Sequence, residues 1–275
     1  MALTKAKTVV VIGAGIFVLL ALGAAFILWQ AAGARLQAQP GRPANPKEKV
    51  WAKERKVEAD RIKRLAKVNQ TTNATTIDLG AFINAQLTDA PLCWKGNDAN
   101  NLSELPKGTH VFAGVPFDVS GSVQLMGGWL KHYNKQYPAS ADGIPVDRTC
   151  ARFHLLHGES FITPTNWGTT VAKMVVHYDN GTSNEMSMVA GENAFDWWYP
   201  LFKTGVPEKF LHLEPGTERA WTGSNPYLRK WQPELSVILY RTTFDNPHPE
   251  LKVSSVDYVS MQTMTCPFLV GLTVD

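Results

Sequence analysis

Three groups of side chains in this 275-residue chain are of the types that do chemistry. The first is His154, His157 and Glu159 in FHLLHGE, which look like metal ligands. Their spacing opposes it. Strand residues three apart face opposite sides, and the order is not the HExxH that sets two histidines on one helix face. One histidine satisfied in the core, and no metal, is the expectation. The second is GENAFDWWYP, with Glu192, Asn193 and Asp196 beside Trp197 and Trp198. Aromatic rings among carboxylates and amides suit a sugar: the ring stacks on its C–H face and the polar groups take its hydroxyls. Adjacent tryptophans in one regular strand face opposite sides, so one ring is expected inside and one outside. The blander reading is that both plug an end of the domain while Asp196 caps a turn. The third group, Trp221, Asn225 and Arg229 in WTGSNPYLR, could join the same rim, although Ser-Asn-Pro also reads as a plain turn.

Other chemistries lack their spacing. There is no Gly-x-Ser-x-Gly elbow, no P-loop, and no carboxylate pair placed for glycoside hydrolysis. Asp118 and Asp257 alternate with apolar neighbours and are expected to face solvent. VVVIGAGIFV opens like a dinucleotide fingerprint, but Val18 stands where the third glycine belongs and no acid follows until Glu48. Cys93, Cys150 and Cys266 are too few and too widely spaced for a disulfide scaffold or a zinc knuckle. Cys150 reads as a small buried apolar residue. No cofactor is expected; a structural Ca2+ would suit a β-sandwich, but no spacing supports one.

Several elements must position these groups. Residues 1–7 are a short head, and Thr8 to Trp29 form 22 residues without a charged side chain, enough to cross a bilayer once as a helix. The run exceeds a usual signal-peptide core, which favours a retained anchor, while Ala31-Ala32-Gly33-Ala34 leaves cleavage open. Arg35, Arg42, Lys47 and Lys49 follow the span, and counted alone would hold the C-terminal side in the cytoplasm. A seven-residue head before a first apolar span is the usual form of an N-in anchor, so the expectation is an exported C-terminal domain. Residues 30–46 are a Pro-rich linker. Residues 47–68 are a basic helical stalk whose apolar positions are too sparse for a core stripe. Residues 68–275 carry a net charge of −6, so the basic pI belongs to anchor and stalk, and nucleic acid is not an expected partner.

From Thr72 the pattern turns to strands. Runs at 109–114, 116–127, 150–158, 169–179, 184–191, 219–223, 236–244, 251–261 and 267–274 are β-branched and apolar, with Gly, Pro, Asn and Asp between them. Ala172, Met174, Val176 and Tyr178 alternate with Lys173 and His177, and Asn180-Gly181 closes a hairpin. No amphipathic helix of ten residues intervenes. The reading is an all-β, antiparallel, jelly-roll-like sandwich over 72–275.

ELPKGTHVFAGVPFDVSGSVQL, IPVDRTCARFHLLHG, VVHYDNGTSNEMSMVAGENAFDWW, AWTGSNP, LYRTTFDNPHPELKVSSVDYVS and PFLVGLTV, in that order, resemble a bacterial β-sandwich module of membrane-associated or exported proteins, similar to galactose-binding-like and carbohydrate-binding jelly rolls. KAKTVVVIGAG resembles the membrane tail of some extracytoplasmic-function sigma factors. The resemblance implies a single-pass protein of the bacterial inner membrane with an extracytoplasmic domain, and carries no catalytic residues. A noncatalytic, membrane-anchored module that binds glycan is the expected function. A structural or signalling envelope protein whose sandwich docks a protein partner is the second reading, and a hydrolase with an unrecognised site the third.

Overall fold

The computed structural model describes residues 74–90, 99–199 and 213–275. The span at 8–29, the linker and the stalk lie outside them, as does Cys93. Among the described residues no helix is long and apolar enough to cross a membrane.

The strands run β1 (Thr75–Ile77), β2 (Gly108–Phe112), β3 (Val115–Val119), β4 (Val123–Gln124), β5 (Ser140–Arg148), β6 (Arg152–Ser160), β7 (Thr170–Tyr178), β8 (Ser183–Val189), β9 (Trp198–Tyr199), β10 (Thr217–Gly223), β11 (Ser236–Asp245), β12 (Val253–Ser260) and β13 (Cys266–Val274). Two short helices, α1 (Gly128–His132) and α2 (Pro226–Trp231), fall among them. The large sheet has the order β1-β13-β6-β11-β10, with β4 beside β13 and β9 beside β11. The small sheet is β5-β12-β7-β8, and β2-β3 is a separate hairpin. Strand pairings are antiparallel. The domain is thus mostly β and sandwich-like.

The small sheet follows the sequence pattern. Ala172, Met174, Val176 and Tyr178 are buried while Lys173, Val175 and His177 are partly exposed. Asn180 Oδ1 accepts the Thr182 N–H at 3.0 Å, and Gly181 supplies the φ of +84° that the hairpin turn requires. One apolar core lies between the sheets, built on Leu155, Leu272, Met174, Val176 and Val256 among others.

Two features depart from that pattern. The run 116–127 is not one strand: it breaks at Ser120–Ser122, where Gly121 leaves no room for a Cβ against Ile83 and the Ala85 carbonyl. β5 was not expected, because Gly143, Pro145 and several polar residues hide an edge strand with bulged pairing to β12. The larger departure is a second core on the far face of the large sheet. There Leu156, Leu239, Phe268 and Val270 meet the hairpin residues Val115, Phe117 and Val119, with Leu130 of α1 and Leu228 of α2. Covered on both faces, β13 is buried at every position.

Candidate ligand-binding site

The histidines behave as their spacing implies. His154 Nδ1 lies 2.9 Å from Thr243 Oγ1, and His157 Nε2 lies 2.9 Å from Thr242 Oγ1, on opposite faces of β6. The Thr242 hydroxyl donates onward to the Asn193 carbonyl, so His157 Nε2–H is the donor to it. Burial pushes His154 down to about 4 and His157 down to about 3, so both are neutral. Among the described residues no group of three or more His, Cys, Asp or Glu side chains is placed to hold a metal ion. Cys150 and Cys266 are buried free thiols, raised by burial to about 11 and about 12.

Glu159 continues the His157 face and is fully buried, with neither carboxyl oxygen partnered. Burial, then the neighbouring Asp196, holds its carboxyl well above the usual range, in the direction that favours the neutral acid. Tyr258, also buried with an unpartnered hydroxyl, is raised by burial and by Glu159. Asp196 accepts the Ile162 N–H at 3.0 Å and the Trp198 N–H at 2.8 Å. Burial outweighs these donors and lifts it to about 7. Asp196, Glu159 and His157 are therefore interior groups.

The remaining expected residues divide. Asn193 serves the turn after β8: its Oδ1 accepts the Val189 N–H at 2.7 Å and its Nδ2 donates to the Ser187 carbonyl at 3.2 Å. Glu192 closes the same turn through its backbone, its N–H donating to the Val189 carbonyl. Neither joins the tryptophans. Trp197 and Trp198 do not take opposite faces. Asp196 bridges in parallel to Glu159 at the junction where the line of β6 passes to β9, so the chain is not a regular strand there. Both rings pack on the second core, 6.2 Å apart at 28°. Trp197, 4% exposed, meets Phe268 edge-on.

Trp198, Trp221, Asn225 and Arg229 do come together, around α2. Val237 of β11 pairs with Trp198 on one side and with Gly223 on the other, and Trp221 pairs with Leu239. Ser-Asn-Pro is a helix start rather than a plain turn: Asn225 Oδ1 accepts the Leu228 N–H at 2.8 Å and Pro226 opens the first turn. Asn225 Nδ2 and Trp198 Nε1 both donate to Asn100 Oδ1, at 2.9 and 3.3 Å. Tyr227 then stacks on Trp198 with centroids 5.9 Å apart at 17°. Four residues on, Trp231 sits on the same helical face, 63% exposed, with Lys230 Nζ 4.7 Å from its ring centroid. Arg229 pairs with Glu104, whose other oxygen accepts the Ser224 N–H at 2.9 Å.

Tyr227, Trp231, Asn100 and Glu104 were not expected. The Asn-Pro start and the Tyr-x-x-x-Trp spacing signal the helix, but six residues are too few for a periodic pattern. No protein-family model, characterised protein or solved structure matches the chain.

Proposed function

We propose that this chain is a membrane-anchored, noncatalytic binding module whose ligand is a glycan. Residues 8–29 hold it in a bacterial inner membrane with the jelly-roll-like domain outside. The observation that carries the reading is the stacked pair Trp198–Tyr227 at the edge of the second core, with the exposed Trp231 one helical turn beyond Tyr227 on α2. The Trp198 and Tyr227 rings, held by stacking, and Trp231, placed by the Asn225-capped helix, offer a surface for the C–H face of a sugar. Exposed Arg229 and Glu104 edge these rings and can take hydroxyls. A noncatalytic role is also supported by the complete burial of Glu159 and His157, the strongly shifted acid and base. The test is affinity electrophoresis and glycan-array binding of the full-length protein in detergent, beside Trp231→Ala. Retardation by at least one polysaccharide, lost in the variant while its melting is unchanged, is the expected result. Retention that survives Trp231→Ala, or no glycan binding at all, removes the reading.

A further inference from the structure

Residues 126–138 and 260–265 meet where β13 begins. The Gly128 N–H donates to the Thr263 carbonyl at 2.7 Å, and the Trp129 N–H to the Met264 carbonyl at 3.3 Å. A Cβ on Gly127 would collide with the Thr265 carbonyl, and one on Gly128 would lie 2.5 Å from Met264 Sδ. Two glycines thus let α1 seat directly on the loop before β13. The surface so made is apolar at its crest. Met261 and Met264 are 45% and 51% exposed. Beside them Trp129 stacks with Tyr133 at 5.9 Å and leans on Phe161 at 5.3 Å. Lys131 and Lys135 are exposed on the same segment. No Asp or Glu occurs from Val119 to Ala141 or from Tyr258 to Val274, although residues 68–275 carry −6 in all. Asp89, near Tyr137 at the end of the first segment, is the acid that approaches it from elsewhere, so the patch is an aromatic and methionine-rich island, basic at Lys131 and Lys135, on an acidic domain.

We propose that this face docks on an anionic phospholipid bilayer, with Met261, Met264 and the Trp129–Tyr133 pair in the headgroup layer and Lys131 and Lys135 against lipid phosphates. Amphipathic aromatic rings settle at that depth, and lysines gain from the negative surface potential. The proposal rests on reading residues 8–29 as an anchor, which keeps a bilayer close. The 44 residues between Trp29 and Ala74, with 47–68 read as helix and the rest extended, reach up to roughly 110 Å. The nine residues of β13 span only about 30 Å. The tether can therefore bring this end of the sheet to the membrane even though Ala74 enters at the other.

The test uses the full chain, one copy per lipid nanodisc, and the rate at which the charged, water-borne oxidant chloramine-T converts Met261 and Met264 to sulfoxides, read by mass spectrometry. In discs containing phosphatidylglycerol both should oxidise about fivefold or more slowly than in phosphatidylcholine discs. High salt and the double variant Lys131→Glu, Lys135→Glu should each restore the faster rate. Melting of that variant reports whether its fold is intact. Equal rates in the two kinds of disc would overturn the proposal. So would protection that arises only when two copies share a disc, which would make a second copy the occupant. A chain that does not enter discs at all would overturn the anchor reading and this docking with it.

Discussion

The two sheets bury their residues in different ways. The small sheet has one wet face, and β7 alternates buried and partly exposed positions along its length. The large sheet is covered on both faces at its centre: β13 is buried throughout, because the hairpin β2-β3, α1 and α2 cover the face that a two-layer sandwich would leave to solvent, while the edge strand β10 keeps exposed positions. Alternation is the mark of a strand with one wet face, and an unbroken apolar run is the mark of a strand without one. The same difference explains where the Trp198–Tyr227 stack and Trp231 stand. Loops that only connect strands have no reason to carry large rings, whereas loops that build a second core do, and the last rings of that core reach solvent.

The sharpest break of this comparison is a charge placed outward on each sheet. Val270 faces the second core and is 2% exposed. Val270→Lys buries an unpaired ammonium and should cost about 4 kcal/mol or more, enough to unfold a marginal domain. Val175 lies outward on β7, opposite Asp257 and Glu185. Val175→Lys should change stability by about 0.5 kcal/mol or less, with two acids beside the new cation. Urea unfolding followed by circular dichroism separates the two, and equal tolerance would mean that the large sheet is open on its far face.

The second core is also the part least legible in the sequence. β7 could be read from alternation and the hairpin to β8 from its Asn-Gly turn, because one wet face imposes a period of two on β7. Phe117, Leu130, Trp197 and Leu228 come from a hairpin, two helices of five and six residues and an irregular crossover, none long enough to have a period. The tryptophans were misplaced for that reason: a period of two was applied where the chain is not a regular strand. Trp197→Ala tests the corrected placement. It removes a buried ring that meets both Trp198 and Phe268, and should cost about 3–5 kcal/mol. Trp198→Ala should cost less, since that ring is only partly buried. The reverse order in urea midpoints would exchange their roles.

Strand β6 differs again, because it carries ionisable groups on both faces, His157 and Glu159 with Leu155 toward the first core and His154 with Leu156 on the other. His154 and His157, at about 4 and about 3 in the fold, take up protons on unfolding below about pH 6.5. Their share of stability is present above that pH and is lost as pH falls toward 4 and 3. Glu159 and Asp196 are raised, so they release protons on unfolding. Their share is fully present below about pH 4 and is lost as pH rises, for Asp196 through about 7. For Asp196 alone the change is on the order of 4 kcal/mol. The pairs oppose one another in mildly acid solution, so stability should be nearly flat there, falling in stronger acid and again in mild alkali. Urea midpoints from acid to alkaline pH should show this shape. Glu159→Gln should flatten the alkaline fall and His157→Gln the acid one. Stability that climbs steadily into alkali would mean that Glu159 is ionised and paired in the folded chain.

The smallest effect belongs to the wet face of the small sheet. Lys173 of β7 and Glu185 of β8 are 2.6 Å apart, with side chains 23% and 59% exposed. On the large sheet Arg241 meets Glu218 at 2.5 Å, but the guanidinium is 4% exposed and also donates to the Ala113 carbonyl at the hairpin tip. Water screens the first pair more than the second, where the guanidinium is buried and only Glu218, 26% exposed, reaches solvent. A double-mutant cycle on Lys173 and Glu185 should give a coupling of about 0.2–1 kcal/mol that shrinks with added salt. The cycle on Arg241 and Glu218 should give a larger coupling with little salt dependence, because removing Glu218 strands a buried cation. Two couplings of equal size and equal salt dependence would place both pairs in the same solvent environment. That result would contradict the covered face from which the second core, and the aromatic stack at its edge, were derived.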